Sequence, residues 1–135
     1  DAISTQQARS ASTPRMAVDS TGKVYVSFVE NSGIYLSRYD GTDVRVWDEG
    51  SSSWTTTFSS GDAISNGGAA TENQIAADSA DRIYNAFYSG SDVQLVRWDG
   101  SDVVTWDNPT ESWTSTVANG DGIGRTRAGR DRGSR

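Results

Sequence analysis

Sliding the sequence against itself by 59 positions aligns residues 17–64 with 76–123 without a gap, and 21 of the 48 paired positions are identical. The matched residues include Asp19 with Asp78, Tyr25 with Tyr84, Phe28 with Phe87 and Arg38 with Arg97. Asp40-Gly41 matches Asp99-Gly100, Trp47-Asp48 matches Trp106-Asp107, and Trp54-Thr55 matches Trp113-Thr114. A period of this length marks solenoids and propellers, whose units bury their faces against neighbouring units and not within themselves.

The first copy reads as short strands cut by turn residues. RMAVDS (15–20), KVYVSFVE (23–30), IYLSRYD (34–40) and VRVWD (44–48) are strand segments, followed by a Gly/Ser loop and WTTTF (54–58). STG, NSG and DGTD separate them, as expected of meandering antiparallel strands. Four strands per unit predict a propeller blade. Alternation places Val24, Val26 and Phe28 on one face and Tyr25 and Val29 on the other, with Ile83, Phe87, Tyr84 and Tyr88 repeating it. Burial on both faces is what blades packed face to face require.

MAVDSTGKVYVSF and IAADSADRIYNAF resemble the strand-turn-strand signature of NHL-like propellers, in which an apolar strand ends in Asp and a Gly turn leads into a Tyr-Val strand. LSRYDGTDVRVWD and LVRWDGSDVVTWD are similar to the outer half of kelch-like and lectin-like blades. The resemblance covers nearly all of residues 14–124 and implies an architecture more than an activity. The second copy departs from the pattern at Asp81, where the first has Gly22, so its turn is expected to be altered.

The expected organisation is a boundary segment 1–13, blade 1 over 14–72, blade 2 over 73–124, and an Arg-rich tail 125–135. Two blades do not close a propeller of four to eight. The expectation is completion by copies of the chain, three chains giving six blades, or by further blades of a longer chain. Small lectins built from two-blade chains offer the architectural analogy. Asp1-Ala2-Ile3-Ser4, Asp62-Ala63-Ile64-Ser65 and Asp121-Gly122-Ile123-Gly124 repeat one boundary element three times for two units, which keeps both routes open. The start at Asp1 without Met leads us to expect that something upstream was removed.

Composition narrows the chemistry. With no Cys and no His, the chain lacks disulfides, thiol nucleophiles and the side chain most used for acid–base work near neutral pH. Residues 1–124 carry 17 acidic and 7 basic side chains, and the last eleven carry five Arg and one Asp. An acidic body repels phosphate backbones, so nucleic acid is not an expected partner. The basic tail is expected to be solvated or to touch an acidic neighbouring subunit. No stretch reaches the ~20 apolar residues needed to span a bilayer, and an extracellular or cell-surface location is expected.

Two sets of residues stand out as ligand-binding candidates: Arg38, Tyr39, Asp40, Trp47 and Trp54, and their repeats Arg97, Trp98, Asp99, Trp106 and Trp113. Aromatic rings stack on the apolar face of a pyranose while Arg and Asp bind its hydroxyls. A Trp recurring once per blade also suits packing between blades. The Asp40-Gly-Thr-Asp43 and Asp99-Gly-Ser-Asp102 segments present paired carboxylates but read as turns, so no metal and no cofactor are expected. Asp19, Asp78, Asp48 and Asp107 recur in both copies, whereas catalytic groups converge once, so no enzyme is expected. The leading expectation is a non-catalytic, lectin-like carbohydrate-binding propeller; the alternative is a structural or adhesive surface repeat without a small ligand.

Overall fold

The structure, a computed structural model, describes residues 10–66, 69–120 and 122–123. The chain is all-β, in two antiparallel sheets that succeed one another along the sequence. The first runs in order through β1 (Ala11–Val18), β2 (Val24–Glu30), β3 (Gly33–Tyr39), β4 (Val44–Asp48) and β5 (Ser53–Thr55). The second repeats it with β6 (Ala70–Ala77), β7 (Ile83–Ser89), β8 (Asp92–Trp98), β9 (Val103–Asp107) and β10 (Ser112–Thr114). Each sheet therefore has five strands where four were expected. The fifth is the short Trp-Thr segment, which pairs Trp54 with Trp47 and Trp113 with Trp106 across the outer edge. The N-terminal segment 1–9 and the Arg-rich tail lie outside the described residues.

The two sheets share their irregularities as well as their strands. β1 is bulged between Ser12 and Arg15 and β6 between Thr71 and Gln74, with Thr13 and its repeat Glu72 both at positive φ. A bulge adds a residue to one strand and sharpens its twist. The expected alteration at Asp81 does not occur. Asp81 has φ 62° against 87° for Gly22, and both turns close with the same pair of backbone hydrogen bonds. A non-glycine residue bears this left-handed conformation because its carboxylate accepts from the Ser20 N–H at 2.8 Å and from the Ser20 hydroxyl at 2.6 Å on the other sheet.

Register divides each sheet into two faces. Tyr25 opposes Arg38, Ser27 opposes Leu36, and Val29 opposes Ile34 on what we term the A face; Val26 opposes Ser37 and Phe28 opposes Tyr35 on the B face. In the second sheet Tyr84, Ala86, Leu95 and Arg97 lie on the A face, and Ile83, Asn85, Phe87, Val96 and Trp98 on the B face. The core forms where the A face of the first sheet meets the B face of the second. Tyr25, Ile34, Leu36 and Trp47 pack there with Ile83, Phe87, Val96, Trp98 and Val103.

Within this apolar layer sits a buried polar cluster. The Ser27 hydroxyl donates to Asn73 Oδ1 at 2.8 Å, and Asn85 Nδ2 donates to the same oxygen at 2.6 Å. Asn73 Nδ2 donates to the carbonyls of Thr13 and Ser27, both at 3.1 Å. Mutual satisfaction is what makes burying these amides tolerable. The cluster ties β6 and β7 to β1 and β2 and fixes how the sheets register.

The strand-like segment after β5 crosses between the sheets. The Asp62 N–H donates to the Trp47 carbonyl and the Ile64 N–H to the Ile34 carbonyl, and Ile123 repeats the latter bond on Val93 at 2.6 Å. Close approach here demands one small residue per pair. A Cβ on Gly33 would come within 2.8 Å of the Ala63 Cβ, and one on Gly122 within 2.5 Å of the Asp92 Cβ. Gly33 repeats as Asp92 and Ala63 as Gly122, so the glycine has changed sides while the contact survives.

Candidate functional site

The candidate residues do not gather as the two five-residue sets expected from the sequence. Alternation separates them: Arg38, Trp47 and Trp54 lie on the A face of the first sheet, whereas Tyr39 lies on its B face. It is Trp98, from the B face of the second sheet, that joins the first group. Trp47, Trp54 and Trp98 meet with ring centroids 5.2–5.4 Å apart and interplanar angles of 60–79°. Arg38 lays its guanidinium 4.4 Å from the centroid of Trp54 and 5.9 Å from that of Trp98, a cation–π arrangement. Trp47 is 0% exposed and its indole N–H donates to Glu49 at 2.7 Å. Its ring offers no face for a ligand, because Trp54 and Trp98 already occupy that space.

The second group, Arg97, Trp106 and Trp113, reproduces the arrangement without the covering ring. Arg97 stands 4.2 Å from the centroid of Trp113, and Trp106 and Trp113 are 5.5 Å apart. These side chains lie half-buried on the A face of the second sheet. Trp106 donates its N–H to Asn108 at 2.7 Å, as Trp47 does to Glu49.

Asp40 and Asp99 belong to turns. Asp40 Oδ1 accepts from the N–H groups of Thr42 and Asp43 at 2.9 Å, and Asp99 Oδ1 from those of Ser101 and Asp102 at 2.9 Å. Gly41 and Gly100 carry φ of 100° and 102°, values that suit glycine. The Asp43 and Thr42 N–H groups, with Arg45 at 3.1 Å, bring the Asp40 carboxyl down to about 2. The Tyr39 hydroxyl donates to the Gly41 carbonyl at 3.0 Å.

Beside the aromatic cluster, the two sheets leave an open cleft of about 260 Å³. The first sheet supplies Asp19, Lys23, Tyr25 and Arg38, and the second supplies Asp81 and Trp98. Asp19 Oδ1 accepts from the Thr21 N–H, the Thr21 hydroxyl and the Lys23 N–H at 2.7–3.0 Å. Burial pushes its carboxyl up, but the Thr21 and Lys23 donors outweigh burial and hold it below its ordinary value. Burial also raises the Tyr25 hydroxyl, against the opposing pull of Arg38. The ion pairs among the described residues involve Arg45 and Arg82, so Arg38 is held by rings and not by a carboxylate. Its Nε and the Trp54 Nε1 are buried without a hydrogen-bond acceptor.

Sequence reasoning did not select Lys23, Tyr25, Asp81, or the Ser27, Asn73 and Asn85 cluster. The signal was present as departures from the repeat: Asp81 against Gly22, Asn73 against Pro14, Asn85 against Val26. Among the described residues, no group of three or more acidic side chains is placed to hold a metal ion, and no helix is long and apolar enough to cross a membrane. No family model, no curated protein and no solved structure matches this chain.

Proposed function

We propose that the two sheets are blades of a β-propeller completed by further blades, and that the chain binds carbohydrate without catalysis at the cleft between blades. One observation carries the proposal: a guanidinium held between Trp54 and Trp98 without a carboxylate partner, at the wall of an open cleft that also presents Asp19, Lys23 and Asp81. Arg and Lys donate to sugar hydroxyls while carboxylates accept from them, and the ring-held Arg38 loses little freedom on binding. An extracellular setting suits such a partner.

The state of Asp19 and Asp78 argues against a catalytic role for these two carboxylates, whereas burial raises Glu49 and Asp102. Asp19 and Asp78 are both held below the ordinary value by turn donors, Asp78 to about 2 by Arg82 and Tyr84 against the effect of burial. Neither holds a proton near neutral pH, and a glycosidase needs one carboxyl that does.

The alternative is a structural or adhesive repeat without a small ligand. It is favoured by Trp47, Trp54 and Trp98, which here serve contact between sheets. A glycan array probed with the wild type and with Arg38→Met and Lys23→Ala separates the two. The carbohydrate proposal expects saturable binding that falls at least tenfold in both variants while the circular dichroism is unchanged. An array blank for the wild type, or binding indifferent to both substitutions, refutes it.

A further inference from the structure

The internal junction joins the A face of the first sheet to the B face of the second, so the chain also carries a second copy of each surface; the B face of the first sheet is buried at Phe28, Tyr35 and Val46 and open at Met16, Val18 and Tyr39. The large apolar side chains exposed among the described residues fall on them. Met16 (66%), Val18 (51%) and Tyr39 (44%) lie on the B face of the first sheet, Tyr88 (44%) on the A face of the second, and Ile123 (41%) on the segment beyond it. Four of their five repeat counterparts are covered. Ile75 and Val29 pack against the core, Trp98 is 7% exposed and Ile64 is 2% exposed, whereas Ala77, the counterpart of Val18, is itself exposed.

We propose that a second copy of this chain docks the B face of its first sheet onto the A face of the second sheet, repeating head to tail the junction inside each chain. The inference rests on the propeller reading above. A heterologous contact of this kind closes when its rotation completes a circle, so two to four copies would give four to eight blades.

The surfaces match at their aromatic residues. Arg97, Trp106 and Trp113 already hold the geometry of Arg38, Trp47 and Trp54, and lack only the ring that Trp98 provides within the chain. Tyr39 is the repeat counterpart of Trp98, and an incoming copy presents it exposed. A groove of about 270 Å³ bordered by Gln74, Ala86, Tyr88 and Val93 opens on the second sheet. Its counterpart on the first sheet borders Thr13 and Ser27, where Asn73 is bonded. Pro14 is the repeat counterpart of Asn73 and is exposed on β1.

The two junctions differ in polarity, and that difference sets the order of the blades. Ser27, Asn73 and Asn85 are replaced at the second junction by Ala86, Pro14 and Val26, and the Asp81 link to Ser20 by Gly22 opposite Ser79. A first sheet docked on another first sheet would bury Ser27 against Pro14 and Val26, which offer no side-chain hydrogen bond. The junction between copies also completes a second cleft, to which the partner contributes Tyr39 beside Asp78, Tyr84 and Arg97.

Absolute mass by light scattering tests this on the full chain, with Met16→Asp to block one face and Tyr88→Asp to block the other. Both positions are exposed and lie outside the internal cleft, and circular dichroism checks that each variant folds. The wild type should show a whole multiple of two to four times the 14.5 kDa chain mass, and each folded variant the mass of one chain. An equimolar mixture of the variants should give twice the chain mass, because each supplies the face the other lacks. A monomeric wild type, folded variants that stay assembled, or a mixture that stays monomeric overturns the proposal. Assembly without any glycan binding would refute the carbohydrate reading alone, and glycan binding by a monomeric wild type would refute this junction alone.

Discussion

Replacing Asn73 by Leu, close to it in volume, should destabilise the chain by about 3–4 kcal/mol. Asn73 is 0% exposed and takes part in four hydrogen bonds, with the Ser27 hydroxyl, Asn85 Nδ2 and the carbonyls of Thr13 and Ser27. At about 1 kcal/mol net for each bond, the sum is near 4 kcal/mol. The added apolar contact of Leu returns a small part of it. Against a total of about 5–15 kcal/mol for a folded domain, this is a large fraction. With a urea dependence of about 2 kcal/mol per molar, the unfolding midpoint should fall by about 2 M. Urea titration followed by tryptophan fluorescence reads it directly, since Trp47, Trp54 and Trp98 lie at the same junction. The triple variant Ser27→Ala, Asn73→Leu, Asn85→Val removes the whole cluster and gives positions 27 and 85 the residues found at their repeat counterparts, Ala86 and Val26. With no side-chain partner of Asn73 left stranded, it should cost no more than Asn73→Leu alone. A midpoint within 0.3 M of wild type for Asn73→Leu, or costs that add strictly in the triple variant, would refute the reasoning.

Four further substitutions test local physics. Gly33→Ala should destabilise by about 1–3 kcal/mol through its clash with Ala63, and Ala63→Gly in the same chain should recover most of that by reproducing the arrangement of Asp92 and Gly122; thermal melts of the three chains decide it. Burial raises the Glu49 carboxyl above its ordinary value, so Glu49 favours folding at low pH and loses that contribution as pH rises through and beyond 4.5. Glu49→Gln keeps an acceptor for the Trp47 N–H, as Asn108 does for Trp106, and should raise the melting temperature at pH 7 while leaving it unchanged at pH 3. The Asp78 carboxyl is held at about 2 against an ordinary 3.8, so its stabilisation is present above about pH 4 and is lost as pH falls toward 2. Asp78→Asn should narrow the difference in melting temperature between pH 7 and pH 3 relative to wild type.

The repeat made the strands, turns and alternation of faces legible, because period-2 patterning and Asp-Gly turns are local properties. Val24, Val26 and Phe28 on one face and Tyr25 and Val29 on the other follow from them. The fifth strand was not legible: Ser53–Thr55 is three residues long and becomes a strand only by pairing with β4. Nor was the grouping of the tryptophans. Identity between copies suggested that Trp47 and Trp106 share one role, yet Trp47 is covered by Trp98 while Trp106 is half-buried on an outer face. Which face of one unit meets which face of the next is a relation between units, and neither copy alone contains it. The positions that encode it are those where the copies disagree, such as Asn73 and Pro14, where attention to matched residues does not fall.

The A face of the first sheet packs on the B face of the second. A nuclear Overhauser spectrum of the labelled chain tests it most directly. Cross-peaks should connect the Asn85 side-chain amide to the Ser27 β-protons and the Trp98 indole to Trp47, and the Arg38 side-chain protons should be shifted upfield by the ring 4.4 Å away. Arg38 at random-coil shifts with no cross-peak between residues 11–55 and 70–114 would contradict it.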